Sequence, residues 1–319
     1  MYRLFVLTLC CLIGLLDSNQ AGARYASVVI EAASGKVLHA VNADTRNFPA
    51  SLTKIMTLYL TFEALDSGRL HLSRKLRVSR IAASRSPSKL GLRHGQSITV
   101  RDIIGTLVTK SANDAATVIA EALAGSERAF ARVMTRKAVE LGMTKTTFRN
   151  ASGLPNWRQR STARDMAILA RALVHELPNH YHFFSLKNYS YAGRNYRNHN
   201  KLLSRYDGAD GIKTGYIRSS GYNLVASAER NGTRLITVVF GGKSPRWRDR
   251  HVTRLMNRGF AALHGTHPSV AARHGTAWPP PPKSKPDPDE VRGWSIRVGA
   301  FNRSRTTHPA VTRAAHSSR

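Results

Sequence analysis

Apolar positions along the chain are spaced first as in strands, then as in helices, then as in strands again. The short apolar runs 27–30 and 37–41 flank Ala33-Ser34-Gly35-Lys36, a turn-forming stretch, and predict a β-hairpin. Helical periodicity follows at 52–65, 101–124, 130–141 and 163–177, with Ser161 or Thr162 as the N-cap of the last segment.

Strand patterns return in the second half of the chain. The runs 222–227 and 234–240 are joined across Asn231-Gly232, a strong hairpin turn signal, and a helix is predicted over about 247–263. Strands at both ends with helices between them predict an α+β fold, in which a sheet assembled from the two ends carries a helical insertion.

The first residues have the pattern of a secretory signal peptide. Arg3 precedes the apolar run Leu4–Leu16, and the small residues Ala21-Gly22-Ala23 follow it. This run is too short to span a bilayer comfortably. We therefore predict a signal peptide over 1–23 and export to the periplasm or cell-wall space, where a location peripheral to the membrane is open to the protein. Both cysteines, Cys10 and Cys11, lie inside the run, so the exported chain has no disulfide and no thiol nucleophile.

Charge is strongly unbalanced, with 49 Lys and Arg against 19 Asp and Glu and a formal net charge of +30. Such a protein attracts polyanions. Export argues against nucleic acid and leaves electrostatic contact with an anionic wall or membrane as the prediction. The 13 histidines show no metal-ligand spacing, so we predict no metal and no cofactor, and a structural or surface role for His199.

Ser51-Leu52-Thr53-Lys54 stands at the start of a predicted helix. Positions i and i+3 share a helix face, so the Lys54 amine can reach the Ser51 hydroxyl. A serine needs a base to become a nucleophile, and burial favours the neutral amine that can act as one. A second Ser-x-x-Lys, at 86–89, contains a proline in a polar stretch, and we interpret it as a surface loop.

Two further motifs follow Ser51 in order. Ser111-Ala112-Asn113 is the one Ser-x-Asn of the chain, and Lys213-Thr214-Gly215 is the one Lys-Thr-Gly. The ordered set is typical of class A β-lactamases and penicillin-binding proteins.

Longer blocks make the resemblance more specific. From about residue 24 to 263 the sequence resembles the low-molecular-mass D-alanyl-D-alanine carboxypeptidases, which are penicillin-binding serine peptidases. The matching blocks are 48–57, 111–116, 141–143, 150–155 and 210–216. The resemblance implies a roughly five-stranded antiparallel sheet flanked by helices, a helical subdomain, and a site in the cleft between them.

The resemblance also implies the reaction. Ser51 would attack the bond between the last two D-alanines of a peptidoglycan stem peptide, and water would then release the acyl-enzyme. Lys54 would be the base for acylation, and Ser111 would relay a proton to the leaving amine. β-Lactam antibiotics would be covalent inhibitors.

The resemblance also implies which residues bind the substrate. Asn113 would bind the substrate amide, and Lys213 and Thr214 would hold the terminal carboxylate, in the segment that continues through Gly215. The backbone N–H groups of Ser51 and Tyr216 would form the oxyanion hole.

Arg248 is a further candidate for the carboxylate site. It lies near the position where the family usually has an arginine, although Arg246 and Arg250 are close enough to leave the alignment open. The alternative for Arg248 is a solvated helix face.

Some features depart from the family pattern. Ile217 stands where threonine is frequent, and the family's C-terminal β-domain is not visible. We predict a catalytic domain over 24–265, a Pro-rich linker over 266–292 and a basic tail over 293–319. The tail begins with a segment similar to the first strand of a peptidoglycan-binding SPOR domain, which predicts a truncated remnant of that domain. The alternative is a disordered tail with a chance match.

Three other functions use part of the same evidence. A D,D-endopeptidase that cuts peptidoglycan cross-bridges shares all three motifs. A non-catalytic wall-binding protein fits the charge but has no need for the serine–lysine pair. A β-lactamase needs a glutamate-bearing deacylation loop, and no segment after Ser111 resembles one, so we predict a long-lived penicillin adduct.

Overall fold

The computed structural model of the protein describes residues 24–263. A five-stranded antiparallel sheet, built from both ends of this described part, lies at its centre. The strand order is β2-β1-β9-β8-β7. The strands of this sheet are β1 (Ala26–Glu31), β2 (Val37–Val41), β7 (Ala209–Ile217), β8 (Gly221–Arg230) and β9 (Thr233–Gly242). Two separate two-stranded sheets pair β3 (Lys75–Arg77) with β4 (Ser97–Thr99) and β5 (Asn188–Tyr191) with β6 (Arg194–Arg197). The predicted α+β fold is confirmed.

Both predicted hairpins are present. β1 pairs with β2, and β8 pairs with β9 across Asn231 and Gly232. These two residues have φ of 48° and 74°, as the two central positions of a type I′ turn require. The sequence pattern did not predict β7, because Asp210, Lys213 and the glycines of this strand interrupt its apolar run.

The helices fill the middle of the chain and end it. They are α1 (Thr53–Asp66), α2 (Arg80–Ala83), α3 (Val100–Thr109), α4 (Asn113–Ala124), α5 (Glu127–Glu140), α6 (Ala163–Glu176), α7 (Pro178–Tyr181) and α8 (Pro245–Leu263), with 3₁₀ turns at Ala50–Leu52, His182–Ser185 and Lys201–Ser204. Thr162 is the N-cap of α6, since its side chain accepts a hydrogen bond from the Asp165 N–H.

The prediction of one continuous helix over 101–124 was wrong. The segment 101–124 is two helices, α3 and α4, separated at Lys110–Ala112. The break occurs because Ser111 has φ of 62°, a left-handed conformation that an α-helix cannot contain. It places Ser111 at a helix junction instead of on a helix face.

The apolar side chains form two clusters, one on each side of the sheet. The larger packs α1, α3, α4, α5 and α6 against one another and against β1 and β9. The smaller packs α8 against the opposite side of β8 and β9. α1 is buried almost throughout, so its N-terminal turn is fixed beside the edge strand β7, and this junction positions the site.

Several predictions fall outside the described residues. The signal peptide at 1–23, the linker at 266–292 and the tail at 293–319 lie there and stay predictions. Within 24–263, no helix combines the length and apolar character that a membrane span requires.

Candidate active site

Ser51 lies in the 3₁₀ turn Ala50–Leu52, which leads directly into α1. Lys54, one turn later, is fully buried. Its Nζ lies 3.3 Å from Ser51 Oγ, so the predicted serine–lysine contact is present in the structure.

Two stronger contacts hold the Lys54 amine. Its Nζ donates to Asn113 Oδ1 at 2.7 Å and to the Ser152 carbonyl oxygen at 2.5 Å. Burial lowers the pKa of Lys54 well below its usual value, and the nearby charge of Lys213 lowers it further. A neutral amine has two protons, which these two acceptors use, and its lone pair is then left for the Ser51 hydroxyl.

Ser111 and Asn113 approach this pair from the junction between α3 and α4. Ser111 has a left-handed backbone, and its hydroxyl oxygen is buried and has no hydrogen-bond partner among the described residues. Such an oxygen is costly to bury unless another group binds it. Asn113, the first residue of α4, is oriented by donating through Nδ2 to the Ser86 carbonyl at 2.9 Å.

The second Ser-x-x-Lys is a loop, as predicted, but it also supports the site through its backbone. The Ser88 carbonyl accepts from the Asn113 N–H at 2.7 Å. Buried Asp114 anchors the continuation of the loop by accepting from the backbone N–H groups of residues 90–92. Ser86 and Lys89 themselves contribute no side chain to the serine–lysine pair.

A loop that the sequence assigned no role, Asn150–Leu154, closes the other side of Lys54. The Ala151 carbonyl accepts from the Thr57 hydroxyl at 2.7 Å, and the next carbonyl is the acceptor from Lys54. Gly153 has φ of 85°, and a Cβ added to it would lie 1.8 Å from the Ala50 carbonyl oxygen. Backbone thus packs directly against the turn that carries Ser51.

Strand β7 forms the third side of the site. Lys213 and Thr214 are buried, whereas the Tyr216 side chain is 53% exposed and stacks on Tyr222 with ring centroids 4.3 Å apart. A Cβ added to Gly215 would lie 3.2 Å from the Ser51 backbone nitrogen. The β7 backbone therefore passes close to the nucleophile turn, as an oxyanion hole shared by Ser51 and Tyr216 requires.

Two cations are buried close to each other at this edge. Arg248 is 4% exposed on α8, not on a solvated face, while Arg246 and Arg250 are exposed. Arg248 pairs with Asp249 at 2.7 Å. Burial, together with the charge of Arg248, lowers the pKa of Lys213 to about 7.

Asn223 is a functional candidate that sequence reasoning missed. It is fully buried on β8 opposite Gly215, and it donates to the Phe48 carbonyl at 3.3 Å. It also accepts from the Gly241 N–H at 3.2 Å. This amide ties the sheet to the segment before Ser51, and its polar type at an inward strand position was the available signal.

His199 lies closer to the cleft than a plain surface role suggests. The residue is exposed, yet partial desolvation and the charges of Lys213, Lys110, Lys201 and Arg248 lower its pKa to about 4. In the described part of the chain, no group of three or more His, Cys, Asp or Glu is arranged to hold a metal ion.

The fold and the site define a class. A serine–lysine pair on a first helical turn, held between an antiparallel sheet and a helical region, is the arrangement of penicillin-binding proteins and related active-site-serine enzymes. The chain belongs to the D-alanyl-D-alanine carboxypeptidase family, peptidase family S11, whose model matches residues 17–244.

Relatives and solved structures agree with this placement. D-alanyl-D-alanine carboxypeptidase DacF of Bacillus subtilis is 38% identical over 266 residues, covering 80% of this chain and 66% of the relative. DacC of Escherichia coli is 40% identical over 240 residues, covering 73% and 60%. The chain thus spans less than two thirds of the length of these two relatives.

Among solved structures, penicillin binding protein 5 from Haemophilus influenzae has a TM-score of 0.72 and 34% identity, covering 74% of this chain and 70% of that one. Penicillin-binding protein D2 from Listeria monocytogenes, in its ampicillin-bound form, has a TM-score of 0.67 and 33% identity, covering 74% and 96%.

Proposed function

We propose that this chain is a serine-type D,D-carboxypeptidase that removes the terminal D-alanine from peptidoglycan stem pentapeptides. The observation that carries the proposal is Lys213, a buried cation beside the Ser51–Lys54 pair that has no carboxylate partner among the described residues. Such a cation is suited to a free carboxylate on the substrate, and a carboxypeptidase must recognise one. Thr214 and Arg248 complete this carboxylate site.

The proposed reaction proceeds in two steps. Ser51 Oγ attacks the carbonyl carbon of the penultimate D-alanine, and its proton passes to Lys54 Nζ. The C–N bond breaks as Ser111 passes its proton to the leaving amine and takes one from the Lys54 ammonium, which becomes neutral again, and an ester remains on Ser51. Water then adds to the ester, releasing the shortened stem. Asn113 holds the substrate amide, and the N–H groups of Ser51 and Tyr216 stabilise the oxyanion, at a few kcal/mol per donor.

Product analysis tests this function. The full chain is incubated with a disaccharide pentapeptide and, separately, with cross-linked peptidoglycan dimers. Release of free D-alanine from the monomer is expected, and none from the Ser51→Ala variant. Cleavage confined to the dimers would overturn the proposal in favour of the endopeptidase.

Fluorescent penicillin provides a second readout of the same nucleophile. The ampicillin-bound relative supports β-lactams as covalent inhibitors of this chain too. The native chain should form a slowly released adduct, and Ser51→Ala should not. A native chain without an adduct would contradict the acyl-enzyme mechanism, and rapid hydrolysis would favour a β-lactamase.

The pH profile tests the role of Lys213. Because a protonated amine binds the substrate carboxylate and the pKa of Lys213 is about 7, kcat/KM should fall as pH rises above about 7. In Lys213→Arg this alkaline limb should move to much higher pH, since a guanidinium stays protonated. Lys201→Arg, an exposed lysine near the cleft, is the control and should keep the native limb. An unmoved limb in Lys213→Arg would contradict the role.

Export and envelope attachment belong to the same proposal. We infer that the chain works in the periplasm or cell-wall space, where positive charge holds it near an anionic membrane or wall. Support comes from four exposed arginines on α8 at a spacing of four residues, none of which pairs with a carboxylate within 24–263: Arg246, Arg250, Arg254 and Arg258. Residues at this spacing form one ridge of a helix.

Neutralising the ridge tests the attachment. Changing all four arginines to glutamine should weaken binding of the full chain to phosphatidylglycerol vesicles by about 10³-fold, at about 1 kcal/mol per charge. Vesicle sedimentation at low salt measures the effect. A control with the same change in net charge replaces four exposed arginines elsewhere: Arg77, Arg101, Arg128 and Arg132. Equal weakening in both variants would leave net charge, not the α8 ridge, as the cause.

A further inference from the structure

Glu127, the first residue of α5, directs its side chain inward although it begins a surface helix. Its side chain is 11% exposed, and its carboxylate forms an ion pair with Arg85. Its other oxygen, Oε1, accepts from the Ala151 N–H at 3.0 Å. The Glu127 carboxylate is therefore bound on two sides, and it does not take part in the proposed reaction steps.

The contacts of Glu127 lead to Lys54 along the loop. Ala151 is held at its N–H by Glu127 and at its carbonyl by Thr57, at 2.7 Å. The next residue, Ser152, presents the carbonyl that accepts from Lys54 Nζ at 2.5 Å. A shift of the Ala151 backbone would thus move this carbonyl directly.

The contacts of Arg85 lead to Lys54 from the other side. Arg85 Nε donates to Thr117 Oγ1 at 2.9 Å. The same hydroxyl donates to the Asn113 carbonyl at 3.3 Å, and Asn113 Oδ1 is the second acceptor from Lys54. The Arg85–Glu127 pair therefore braces both groups that take the amine protons.

Charge gives Glu127 a second effect on Lys54. Three ionisable groups act on the amine: Lys213 from β7, Glu127 from α5 and Asp114 from α4. Burial and Lys213 lower the pKa of Lys54, and the two carboxylates raise it. Asp114 also anchors the backbone of residues 90–92, so replacing it would disturb a loop. A glutamine in place of Glu127 removes the charge and keeps an oxygen that can accept from the Ala151 N–H.

We propose that Glu127, held by Arg85, is a positioning residue for the catalytic base. It fixes the Ser152 carbonyl and the Asn113 amide so that they take the two protons of the Lys54 amine and leave its lone pair directed at Ser51. This role rests on the proposed acyl-enzyme function.

Two variants of Glu127 separate position from charge. Glu127→Gln keeps an oxygen for the Ala151 N–H and loses the charge, so the acid limb of acylation should move about one unit to lower pH, and its plateau should fall less than that of Glu127→Ala. Glu127→Ala loses the oxygen as well, and its plateau should fall about 10- to 100-fold, because misplaced reacting groups are slow. The rate of labelling by fluorescent penicillin is measured against pH.

Glu140→Gln is the matched control. Glu140 lies on the same helix, is half-exposed and pairs with Lys137, so this variant should keep the native profile. Thermal unfolding of each variant identifies loss of folded protein. A residue that only stabilised the fold would lower the midpoint without moving the acid limb.

The outcomes are separable. A native chain that is not labelled would overturn the acyl-enzyme function, and the role of Glu127 with it. With a labelled native chain, a folded Glu127→Ala that keeps the native plateau would overturn the positioning role. An acid limb that coincides in the native chain and Glu127→Gln would overturn the effect of the Glu127 charge on Lys54. If Glu127→Ala fails to fold, the acid limb of Glu127→Gln still tests whether Glu127 acts on Lys54.

Discussion

Replacing Lys54 with alanine should slow acylation of Ser51 by about 10²- to 10⁴-fold, the usual contribution of a positioned general base. The reason is that no other amine, imidazole or carboxylate is hydrogen-bonded to Ser51 Oγ among the described residues. Without a base the hydroxyl must lose its proton to solvent. The second-order rate of labelling by fluorescent penicillin measures the effect.

A buried lysine elsewhere supplies the control. Lys137 is 7% exposed and is paired with Glu63 at 3.0 Å and Glu140 at 2.8 Å. Lys137→Ala leaves these carboxylates without their cation, so it should lower the thermal midpoint while the folded protein acylates at the native rate. A Lys54→Ala variant that labelled as fast as Lys137→Ala would contradict the assignment of the base.

The sequence predicted the part of the site that depends on short-range spacing. Ser51 and Lys54 are three residues apart on a helix start, and one helical turn brings them together whatever the rest of the chain does. The same holds for the Asn231-Gly232 turn, where the local backbone requirement is visible in the residue types. Arg248 was left open because its burial depends on how α8 packs on the sheet.

What the sequence missed depends on backbone and on long-range packing. The Ser152 carbonyl and the Ser86 carbonyl carry no signal in their side chains, since any residue offers the same oxygen. The break at Ser111 was hidden because apolar periodicity continues on both sides of it. Glu127 looked like an ordinary acidic residue in a first helical turn, and only the folded chain shows that it contacts Ala151.

The Lys54 amine can be neutral although it is hydrogen-bonded, because burial and the charge of Lys213 lower its pKa. The charge of Lys213 lowers the pKa of Lys54, and in the proposed function the same charge would attract the substrate carboxylate. Arg248 acts in the same way on Lys213, whose pKa it helps to lower to about 7. In the proposed function, binding of an anionic substrate would reverse part of this effect, so Arg248 and Lys213 would couple substrate binding to proton transfer at Lys54.

Replacing Gly153 with alanine should abolish most acylation, by about 100-fold or more if the Ser51 turn is displaced by an ångström. The added Cβ would lie 1.8 Å from the Ala50 carbonyl oxygen and 2.9 Å from the Ser51 backbone nitrogen. Both neighbours are backbone atoms and cannot rotate away, so the loop or the nucleophile turn must move. Either movement separates Ser51 from Lys54, which is held to the same loop through the Ser152 carbonyl.

The glycine Gly68 distinguishes this clash from simple backbone strain. It has φ of 70°, close to that of Gly153, but a Cβ added there has nothing within 4 Å. Gly68→Ala should therefore cost about 1–2 kcal/mol of stability, the usual penalty for a left-handed alanine, and leave penicillin labelling at the native rate. Labelling rates and thermal midpoints of the two variants are compared side by side. If Gly153→Ala also retained native labelling, the contact between loop 150–154 and the Ser51 turn would not be what positions the nucleophile.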